Sequence, residues 1–583
     1  MYFALAPCPS DHPAPSGPLP GRFFSLAARD QAAGSLRRLG PLLLTAWLAG
    51  CASLAGCASL PTEVNRPVSN AWTTPADTPL GQAVQARAAA AGARADSGFY
   101  LLENPPLAFT ARLALIEAAQ KTLDIQYYAI HADDTTDRLF DALRVAAARG
   151  VRIRILLDDF NTSGKNAQVL QLAFVPNMEL RLFNPLPGSR RSMFFRVLGS
   201  IHDVGRMQRR MHNKIFVADN ALAITGGRNL GETYFGQGEN TNFIDIDVLA
   251  SGRIVRDLSR SFDQYWNNPL AYPAQALVSQ QEVEALKMPA RAAAAPASAE
   301  AQAPASATAA EPAARTSAHP SASSLNKPSP SGSASAPPPL GPAADLAKLP
   351  WLWAPSIMMV DKPSKIAADQ EEVEDAQDTL VDGLLQLLSQ ARRELLIVSP
   401  YFVPGPRMMA QLAAIRQKGV RIRVLTNSLA SNDAPAAHVG YARYRKELLA
   451  VGIELYEMHA ERAASLAAFG SSGSSRASLH SKIIVMDNRL LVVGSMNLDL
   501  RSQLQNTEVA LLIRSPALAR EATRLIEPTL AKGAYRVELT EQQLVWRAPE
   551  GSAFKDSQTE PGASVGLKIL LKLIGPFAPE EML

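Results

Sequence analysis

A spaced set of four polar residues occurs twice in this 583-residue chain, once in each half. In MHNKIFVADNALAITGGRNL and in LHSKIIVMDNRLLVVGSMNL, a histidine, a lysine, an aspartate and an asparagine stand at the same offsets of 0, 2, 7 and 17. The two sets are His212, Lys214, Asp219 and Asn229, and His480, Lys482, Asp487 and Asn497. Because all the offsets agree, we predict that a whole structural unit is duplicated.

The likeness between the two halves extends beyond this motif. LIEAAQKTLDIQYYAI (115–130) corresponds to LLSQARRELLIVSPYFV (387–403), and each is an amphipathic helical pattern followed by a β-rich run. RGVRIRILLDDF (149–160) likewise corresponds to KGVRIRVLTNSL (418–429). Helical patterns that alternate with apolar strands indicate β-α-β units. We therefore predict an α/β fold of two homologous domains, each a mixed or largely parallel sheet flanked by helices.

Composition separates the two domains. The segment 281–346 is rich in Ala, Pro and Ser and has almost no large apolar residue, so burial cannot offset the entropy of ordering it. We predict a disordered linker there. The first domain is then expected at 98–280, the second at 347–545, and a C-terminal extension at 546–583.

All three cysteines lie in the first tenth of the chain, so the predicted domains have no disulfide and no thiol nucleophile. Two arginines precede the run LGPLLLTAWLAGC, which has the order of charge, hydrophobic core and small residues that is typical of an export signal. Its final LAGC resembles the lipobox of bacterial lipoproteins, in which the cysteine is acylated. We predict a signal peptide over 1–50, Cys51 as the lipidation site with Cys57 as the alternative, and a tether over 51–97.

An anchor of this kind would hold the domains on the periplasmic side of the bacterial cell envelope. Ala52, directly after the lipidation site, favours the outer membrane, and the choice between the outer and the inner membrane stays open. The segment ahead of the two arginines is long and proline-rich for a signal peptide. We therefore expect that translation starts near Leu36.

Bulk composition excludes few classes of protein. A chain with 47% hydrophobic and 19% charged residues is typical of globular proteins and excludes a polytopic membrane protein. The net charge of +4 is small and by itself favours neither nucleic acid nor a membrane as partner.

The duplicated residues suit phosphate chemistry. Residues i and i+2 of a strand share a face, so each histidine points the same way as its lysine. KIIVMDNRLLVVGS reads as two strands joined at Asp487 and Asn488, a hairpin that brings Asn497 back alongside His480. Lysine and asparagine donate hydrogen bonds to anions, and histidine acts as a nucleophile or a proton donor. Two facing sets would attack a phosphodiester from one side and protonate the leaving oxygen from the other.

At this point the residues resemble a known family. HNKIFVADNALAITGGRN and HSKIIVMDNRLLVVGSMN are similar to the paired HxKxxxxD motifs of the phospholipase D superfamily, over roughly 98–275 and 347–530. SPYFVPG, LLDDFNT and HVGYARYRKELLAVGIELYE resemble the bacterial cardiolipin synthases, particularly the branch with an N-terminal signal.

The resemblance implies a pseudo-dimer with its active site between the domains, no metal or other cofactor, and a covalent phosphatidyl-histidine intermediate. It makes His212 the nucleophile and His480 the general acid, which later activates the incoming alcohol. The lysines and asparagines would hold the phosphate oxygens and stabilise the pentacoordinate state.

In this family a carboxylate usually orients each histidine through its other ring nitrogen. Glu508, in NTEVALLI, fits the second copy and is expected beside His480. Asp247, in DIDVLASG, aligns with it and is expected beside His212, with Asp245 as a rival.

Other polar residues have competing interpretations. For Asp219 and Asp487 we expect a structural role at the hairpin turn. Asp158 and its neighbour Asp159 either act in catalysis or satisfy local donors at the end of a strand. Tyr401 joins Asp158 as a candidate residue of the substrate pocket.

His438 is a third candidate for the pocket. The basic run RMQRR (206–210) is either a solvated face or a contact with anionic lipid. For VGLKILLKLIGPF (565–577) we expect packing as a final core helix, with an interfacial amphipathic segment as the alternative.

Four functions follow from these observations. The first is a phosphatidyltransferase that forms cardiolipin from phosphatidylglycerol, with phosphatidylethanolamine as a second candidate substrate. The others are a phospholipase D that releases phosphatidic acid, a nuclease of the same superfamily, and an inactive envelope lipoprotein. The weak basic balance disfavours nucleic acid as a partner. A membrane surface is the expected partner, and a need for an accessory protein stays open.

Overall fold

The computed structural model describes residues 60–278, 282, 340–460 and 476–575, except for 189, 191–195, 198–199, 201–202, 369–371 and 374–377. The predicted signal peptide, both candidate lipidation sites and most of the predicted linker lie outside the described residues. We call residues 60–278 the first half and residues 356–575 the second half.

Each half is built around one large sheet. The strands that come first along the chain are β1 (Ser97–Leu102), β2 (Thr122–Tyr127), β3 (Arg152–Asp158), β4 (Met178–Phe183), β5 (Ile215–Ala218), β6 (Leu222–Thr225), β7 (Thr241–Ile244), β8 (Asp247–Gly252), β9 (Ala271–Pro273) and β10 (Leu352–Trp353). The strands that follow are β11 (Ser356–Val360), β12 (Glu394–Val398), β13 (Arg421–Asn427), β14 (Glu454–Met458), β15 (Arg476–Leu479), β16 (Ile483–Met486), β17 (Leu490–Gly494), β18 (Val509–Arg514), β19 (Ala534–Thr540) and β20 (Gln543–Arg547).

Helices flank both sheets. Those up to the end of the first half are α1 (Pro79–Ala90), α2 (Pro105–Ala118), α3 (Asp134–Ala148), α4 (Val204–Gln208) and α5 (Arg253–Trp266). Those of the second half are α6 (Ser364–Ala367), α7 (Leu380–Leu388), α8 (Gly405–Gln417), α9 (Pro435–Ala450), α10 (Leu500–Leu504), α11 (Pro516–Pro528) and α12 (Val565–Ile574). No helix in the described part of the chain is long and apolar enough to cross a membrane.

The two sheets repeat one strand order. Within the described residues each has nine strands, ordered β10-β1-β8-β6-β5-β2-β3-β4-β9 and β11-β18-β17-β16-β12-β13-β14-β19-β20. In both, three neighbouring strands run parallel and the others pair antiparallel; the parallel strands are β2, β3 and β4 in the first sheet and β12, β13 and β14 in the second. The predicted duplicated α/β fold with mixed sheets is confirmed.

The crossover helices end in the same way in both halves. The helix α3 connects β2 to β3, and α8 connects β12 to β13. Each is followed by a glycine in the left-handed region, Gly150 at φ +91° and Gly419 at φ +82°. Only glycine adopts this conformation without a steric penalty, so these residues terminate the helix and let the next strand begin. This explains the Gly-Val turn before each RIRI or RIRV strand.

The halves share a hydrophobic core. One buried apolar cluster contains Val248 and Ile254 of the first half together with Val493 and Leu511 of the second. The described residues from 60 to 575 accordingly cluster as a single compact unit. Apolar burial of this kind contributes about 25 cal/mol per Å², so a continuous core stabilises the pairing of the halves.

The segment 60–96, predicted as part of a tether, is instead bound to the first half. Its helix α1 precedes the sheet, and Ala71 donates its amide hydrogen to Asp263 at 2.9 Å. Arg154 and Trp266 donate to Ser69 at 2.7 and 2.9 Å. The prediction missed this because the partners of these contacts lie far away in the sequence, and composition does not indicate them.

The predicted boundary at 347 also differs from the strand assignment. The short strand β10 pairs with β1, with Gly98 opposite Trp353, so it extends the first sheet. The second sheet begins at Ser356. At the other end, β20 continues this sheet to Arg547.

The C-terminal helix α12 does not pack as a core helix. Val565, Ile569 and Leu573 are 71%, 54% and 66% exposed. The expectation of core packing for 565–577 is therefore wrong over the described residues, because one apolar face of the helix points away from the protein.

Candidate active site

The motif aspartates anchor their hairpins to a neighbouring strand. Asp219 and Asn220, between β5 and β6, both have left-handed φ angles, of 52° and 51°, and Asp487 and Asn488 repeat them at 55° and 53°. Two successive residues in this region form a type I′ turn, which favours tight hairpins.

The carboxylates of these turns accept hydrogen bonds from the backbone that leads into the adjacent strand. Asp219 binds the amides of Gln120, Lys121 and Thr122 at 2.7–3.2 Å. Asp487 binds the amides of Arg392, Arg393 and Glu394 at 2.8–3.3 Å. Both aspartates thus hold the hairpin against β2 or β12, which is a structural role.

The motif histidines lie where the two halves meet. The amide of His212 donates to the carbonyl of Thr507 at 2.9 Å, and the amide of His480 donates to the carbonyl of Ile244 at 2.8 Å. Ahead of His480, strand β15 pairs in parallel with β7 of the first half. The backbone of each histidine is therefore held by a hydrogen bond to the opposite half.

The orienting carboxylates are exchanged between the halves. Nδ1 of His212 lies 3.0 and 2.9 Å from the carboxylate oxygens of Glu508, and Nδ1 of His480 lies 2.8 Å from Asp245. The expected pairing of Glu508 with His480 is therefore wrong. Glu508 follows Thr507, and Asp245 follows Ile244, so the backbone contacts that clamp each histidine also bring the carboxylate of the other half to it.

Asp247 is not the partner of His212. It lies 2.8 Å from Arg112 and 3.4 Å from Arg228, both buried in the first half. Asp247 is the first residue of β8, which pairs with β1 inside the first sheet, whereas Asp245 lies in the break between β7 and β8. Asp245 is therefore the orienting carboxylate of the first half in place of Asp247, and it serves His480 and not His212.

The two carboxylates differ in their surroundings. Glu508 also accepts hydrogen bonds from Ser495 at 2.5 Å and Ser502 at 3.0 Å. Burial alone would raise the pKa of Glu508, but its contacts with His212, Lys214 and Ser495 outweigh burial and lower the pKa. Burial raises the pKa of Asp245, against the opposing effect of Lys482. Glu508 is thus the more firmly ionised of the two.

Both motif lysines are buried beside their histidines. Nζ of Lys214 donates to the carbonyl of His212 at 2.8 Å, and Nζ of Lys482 donates to that of His480 at 2.6 Å. Burial lowers the pKa of Lys214 to about 7 and that of Lys482 to about 8. Two cations held this close together suit an anion that bridges them.

Both imidazoles are neutral at neutral pH. Burial lowers the pKa of His212 to about 4, although Glu508 opposes the shift. Burial and the nearby charge of Lys482 lower the pKa of His480 well below its usual value. A carboxylate at Nδ1 requires the ring proton there, so we assign Nε2 as the unprotonated nitrogen of each ring.

The motif asparagines have different contacts. Asn229 accepts a hydrogen bond from the amide of Ala129 at 3.3 Å and donates to the hydroxyl of Tyr234 at 3.0 Å. The side-chain oxygen of Asn497 is buried and has no hydrogen-bond partner among the described residues. Asn229 therefore has a fixed orientation, while Asn497 keeps an unused acceptor.

Aromatic rings that sequence reasoning missed surround the histidines. Tyr128 contacts His212 edge-on with ring centroids 5.0 Å apart. The ring centroids of Tyr234 and Phe243 lie 5.2 and 5.0 Å from that of His480. These rings restrict the access of water to the histidines. The sequence signal that could have located them is their position, directly after β2 or around β7.

Tyr401 donates its hydroxyl to both carboxylate oxygens of Asp433 at 2.9 Å. Asp433 lies close enough to Lys482 for its charge to raise the pKa of that lysine, which burial lowers. Tyr401 therefore remains a candidate for the pocket, and Asp433 is a further polar residue near the site that the motifs did not indicate.

His438 does not contact the motif residues. Its Nε2 lies 2.6 Å from Arg445 and 3.3 Å from Glu560, and its ring packs against Tyr441 in the second half. The expectation that His438 lines the substrate pocket is therefore wrong, because α9 turns this side chain into a buried ion-pair cluster.

Asp158 and Asp159 both satisfy local donors. Asp158 accepts hydrogen bonds from Arg210 and from the amide of Met211, which directly precedes His212. Asp159 pairs with the buried Arg190 and Arg196. Asp158 thus positions the backbone next to His212, and its expected place as a pocket residue is not supported by its contacts.

The same contacts show how the arginines of the basic run 206–210 are bound. Arg210 is buried in its pair with Asp158, and Arg206 pairs with Asp203 at 2.9 Å. Two of the three arginines of the run are therefore paired with carboxylates, which favours neither a solvated face nor a lipid contact for the run as a whole. In the described part of the chain, no group of three or more His, Cys, Asp and Glu side chains is arranged to hold a metal ion.

Two histidines from two copies of one fold, each with a carboxylate from the opposite copy and a lysine beside it, define a phospholipase D-like centre. The protein-family model described as "Cardiolipin synthase, PLD-like domain" matches residues 113–266 and 384–529, and the chain belongs to this family. The match confirms the predicted superfamily and the prediction of an enzyme.

Relatives and a solved structure agree with the family. Cardiolipin synthase C of Escherichia coli (strain K12) is 36% identical over 490 residues, which are 83% of this chain and 96% of that protein. Cardiolipin synthase B of the same organism is 24% identical over 418 residues, 71% of this chain and 75% of that protein. A crystal structure of phosphatidylserine synthase from Haemophilus influenzae Rd KW20 covers 86% of this chain and 100% of its own, with a TM-score of 0.52 and 13% identity, and supports the fold.

Proposed function

We propose that the protein is a phosphatidyltransferase that joins phospholipids into cardiolipin at a membrane surface. The observation that carries this proposal is the pair of neutral histidines, one from each half, each bound at Nδ1 by a carboxylate of the other half. The similarity to cardiolipin synthase C and cardiolipin synthase B supports the substrate class.

The first step forms a phosphatidyl-enzyme. Nε2 of His212 attacks the phosphorus of a phospholipid, and the bond from phosphorus to the headgroup oxygen breaks. The leaving oxygen takes a proton from Nε2 of His480. The two lysines and Asn229 stabilise the charge on the phosphate oxygens in the transition state.

His480 must be protonated for this step, although its pKa is lowered by burial and by Lys482 and Lys214. A phosphodiester anion between the two lysines offsets their charge. Substrate binding therefore raises the pKa of His480 and supplies the acid form where it is needed.

The second step regenerates the enzyme. His480, now neutral, accepts the proton of an incoming hydroxyl, whose oxygen attacks phosphorus while the bond from phosphorus to Nε2 of His212 breaks. The headgroup glycerol of phosphatidylglycerol is the proposed acceptor, with phosphatidylethanolamine as a second candidate donor. Water as the acceptor would give phosphatidic acid instead.

We assign the nucleophile to His212 because of Glu508. A phosphorylated imidazole that keeps its proton at Nδ1 is a cation, and an ionised carboxylate stabilises it. The pKa of Glu508 is lowered and that of Asp245 is raised, so the pair of His212 and Glu508 is better suited to carry the intermediate.

The test is product analysis. Purified full-length protein is incubated with labelled phosphatidylglycerol, with and without phosphatidylethanolamine, and the lipids are separated. Cardiolipin is the expected product, and it should be lost in His212→Ala and His480→Ala but not in His319→Ala, a matched control in the predicted linker. Phosphatidic acid without cardiolipin would contradict the synthase and leave the hydrolase.

The location is a separate proposal that rests on the N-terminal sequence. We propose that Cys51 is acylated and holds the enzyme in the bacterial envelope, facing the periplasm. Mass spectrometry of the mature N-terminus tests this, and an unmodified Cys51 with an acylated Cys57 would move the site, whereas no acylation would reject the anchor.

A further inference from the structure

The C-terminal helix α12 presents an apolar stripe to solvent. Val565, Ile569 and Leu573 are spaced by four residues, which places them above one another on one face of the helix. They are 71%, 54% and 66% exposed. Single exposed apolar residues are common on protein surfaces, but an aligned set of three marks an interaction surface.

The opposite side of α12 holds the helix on the protein. Leu567 and Leu571 are half-buried, and the carbonyl of Gly575 accepts a hydrogen bond from Arg443 of α9 at 2.5 Å. At the start of the helix, the side chain of Ser564 accepts a hydrogen bond from the amide of Leu567 at 3.2 Å. The helix is therefore capped and docked, with its stripe pointing outward.

The charge of α12 is of one sign. The helix contains Lys568 and Lys572 and no acidic residue. Lys568 lies three residues after Val565, so it borders the stripe on one side. An apolar stripe on a helix whose charged residues are lysines matches the surface of an anionic bilayer, where the apolar residues enter the headgroup region and the phosphates carry the opposite charge.

The length of α12 fits a helix that lies on a membrane. Its 10 residues span about 15 Å at 1.5 Å per residue, half the thickness of the hydrocarbon core. The helix therefore has the length for lying in the interface plane and not for crossing the bilayer.

The segment that carries α12 borders the loop between β13 and α9 in the second half. A Cβ at Gly562 would lie 3.3 Å from Ala430, in the loop that joins β13 to α9. The same loop contains Asp433, which binds Tyr401 and acts on the charge of Lys482. A membrane surface in contact with α12 would therefore lie next to the loop that contains Asp433, a polar residue near the site.

We propose that the exposed stripe of α12, Val565, Ile569 and Leu573, docks the enzyme on an anionic phospholipid surface beside the loop between β13 and α9. This inference rests on the proposed function, because a bilayer is the occupant expected of an enzyme whose substrates are phospholipids. A second copy of the chain would be the competing occupant.

Hydroxyl-radical footprinting of the full chain tests the contact at the stripe itself. The probes are vesicles of phosphatidylcholine with and without phosphatidylglycerol, and oxidation of Ile569 and Leu573 is compared with that of Val145, an exposed residue of α3. Oxidation of the stripe should fall severalfold with the anionic vesicles while that of Val145 stays constant. Unchanged oxidation would overturn the proposal, and so would protection that depends on protein concentration and not on lipid.

A triple variant tests the consequence for turnover. Val565→Ser/Ile569→Ser/Leu573→Ser should need about tenfold more vesicle lipid for half-maximal rate. It should turn over a short-chain phospholipid dissolved as monomers at the wild-type rate, and the matched control Val145→Ser should behave as wild type with both substrates. Equal vesicle dependence in the triple variant would contradict docking through α12.

The two proposals fail in different ways. If the wild-type protein turned over neither vesicle nor monomeric lipid, the proposed function would fail, and footprinting would still decide the docking. If turnover were intact but oxidation of the stripe were insensitive to vesicles, the docking alone would fail. Ile569→Trp offers a gain-of-contact check, because tryptophan partitions well into the interface and should strengthen vesicle binding.

Discussion

An oxygen of Glu508 lies 2.9 Å from Nδ1 of His212, although the two residues are 296 positions apart and belong to different copies of the motif. Asp245 and His480 form the reciprocal contact at 2.8 Å. Neither half on its own contains a motif histidine together with the carboxylate that binds it. The duplication therefore produces one site that exists only when both halves are assembled.

The exchange predicts which carboxylates are needed for turnover. Glu508→Gln and Asp245→Asn should each lower kcat by about 10²–10⁴-fold, because the histidine loses the carboxylate that fixes its tautomer and stabilises its cation. Steady-state kinetics on labelled phospholipid checks this.

The control for that experiment is Asp247→Asn. Asp247 pairs with Arg112 and Arg228, so the substitution removes the carboxylate charge that pairs with two buried cations and should lower the melting temperature. Protein that remains folded should keep its kcat. A loss of kcat in Asp247→Asn without a change in melting temperature would restore Asp247 as the orienting residue.

The two histidines should be distinguishable by the leaving group. A lipid with an activated phenol as headgroup needs no proton donor, so His480→Ala should still give a burst of phenol and a phosphatidyl-enzyme detected by intact-protein mass spectrometry. His212→Ala should give neither. A burst in His212→Ala with none in His480→Ala would reverse the two roles.

The pH profile should reflect the buried lysines and His212. The pKa of Lys214 is lowered to about 7 and that of Lys482 to about 8, so both lose their charge as the pH rises through this range. Because the free enzyme then binds the phosphodiester anion less well, kcat/KM should fall on the alkaline side. On the acid side it should fall near pH 4, where His212, with its pKa of about 4, becomes protonated and loses its nucleophilic nitrogen.

Lys214→Arg provides the comparison for the alkaline limb. Arginine stays charged throughout this range, so the limb should move to higher pH even if the maximum rate drops. An alkaline limb at the wild-type position in this variant would mean that another group controls it.

The motif aspartates should matter for stability. Asp219→Ala removes the acceptor of three backbone amides and should lower the free energy of unfolding by about 1–3 kcal/mol, which urea denaturation measures. Asp487→Ala should lower the free energy of unfolding by a similar amount, through the equivalent contacts in the second half. At temperatures where the variants are folded, kcat should remain close to that of the wild type, and a large fall in kcat would instead give the aspartates a part in catalysis.

Turnover should withstand metal chelation. Asp245 and Glu508, the carboxylates beside the histidines, are engaged by ring nitrogens, and Glu508 also binds two serines, so they are not available as ligands. Activity after dialysis against EDTA should equal that of the untreated enzyme. A loss that zinc or magnesium reverses would contradict the proposed charge stabilisation by lysine.

Much of the architecture follows from local sequence patterns. The crossover helices, the Gly-Val turns and the paired hairpins can be predicted because they depend on periodicity and on neighbours a few residues apart. His212, Lys214 and Asn229 and their second copies were located from the offsets alone. The ordered segment 60–96 and the strand β10 could not be predicted, because their partners, a side chain such as Asp263 and the strand β1, are far away in the sequence and carry no compositional signal.

The sequence by itself determined that two like units, each with a histidine and a lysine on one strand face, make up this protein. Only the tertiary structure decided that Glu508 and not Asp247 serves His212, that Asp245 and not Glu508 serves His480, and that α12 leaves its apolar stripe exposed. The physical reason is the range of the forces involved. Strand and helix periodicity acts over a few residues, whereas a carboxylate meets a histidine of the other copy only after the two sheets have packed on a common core.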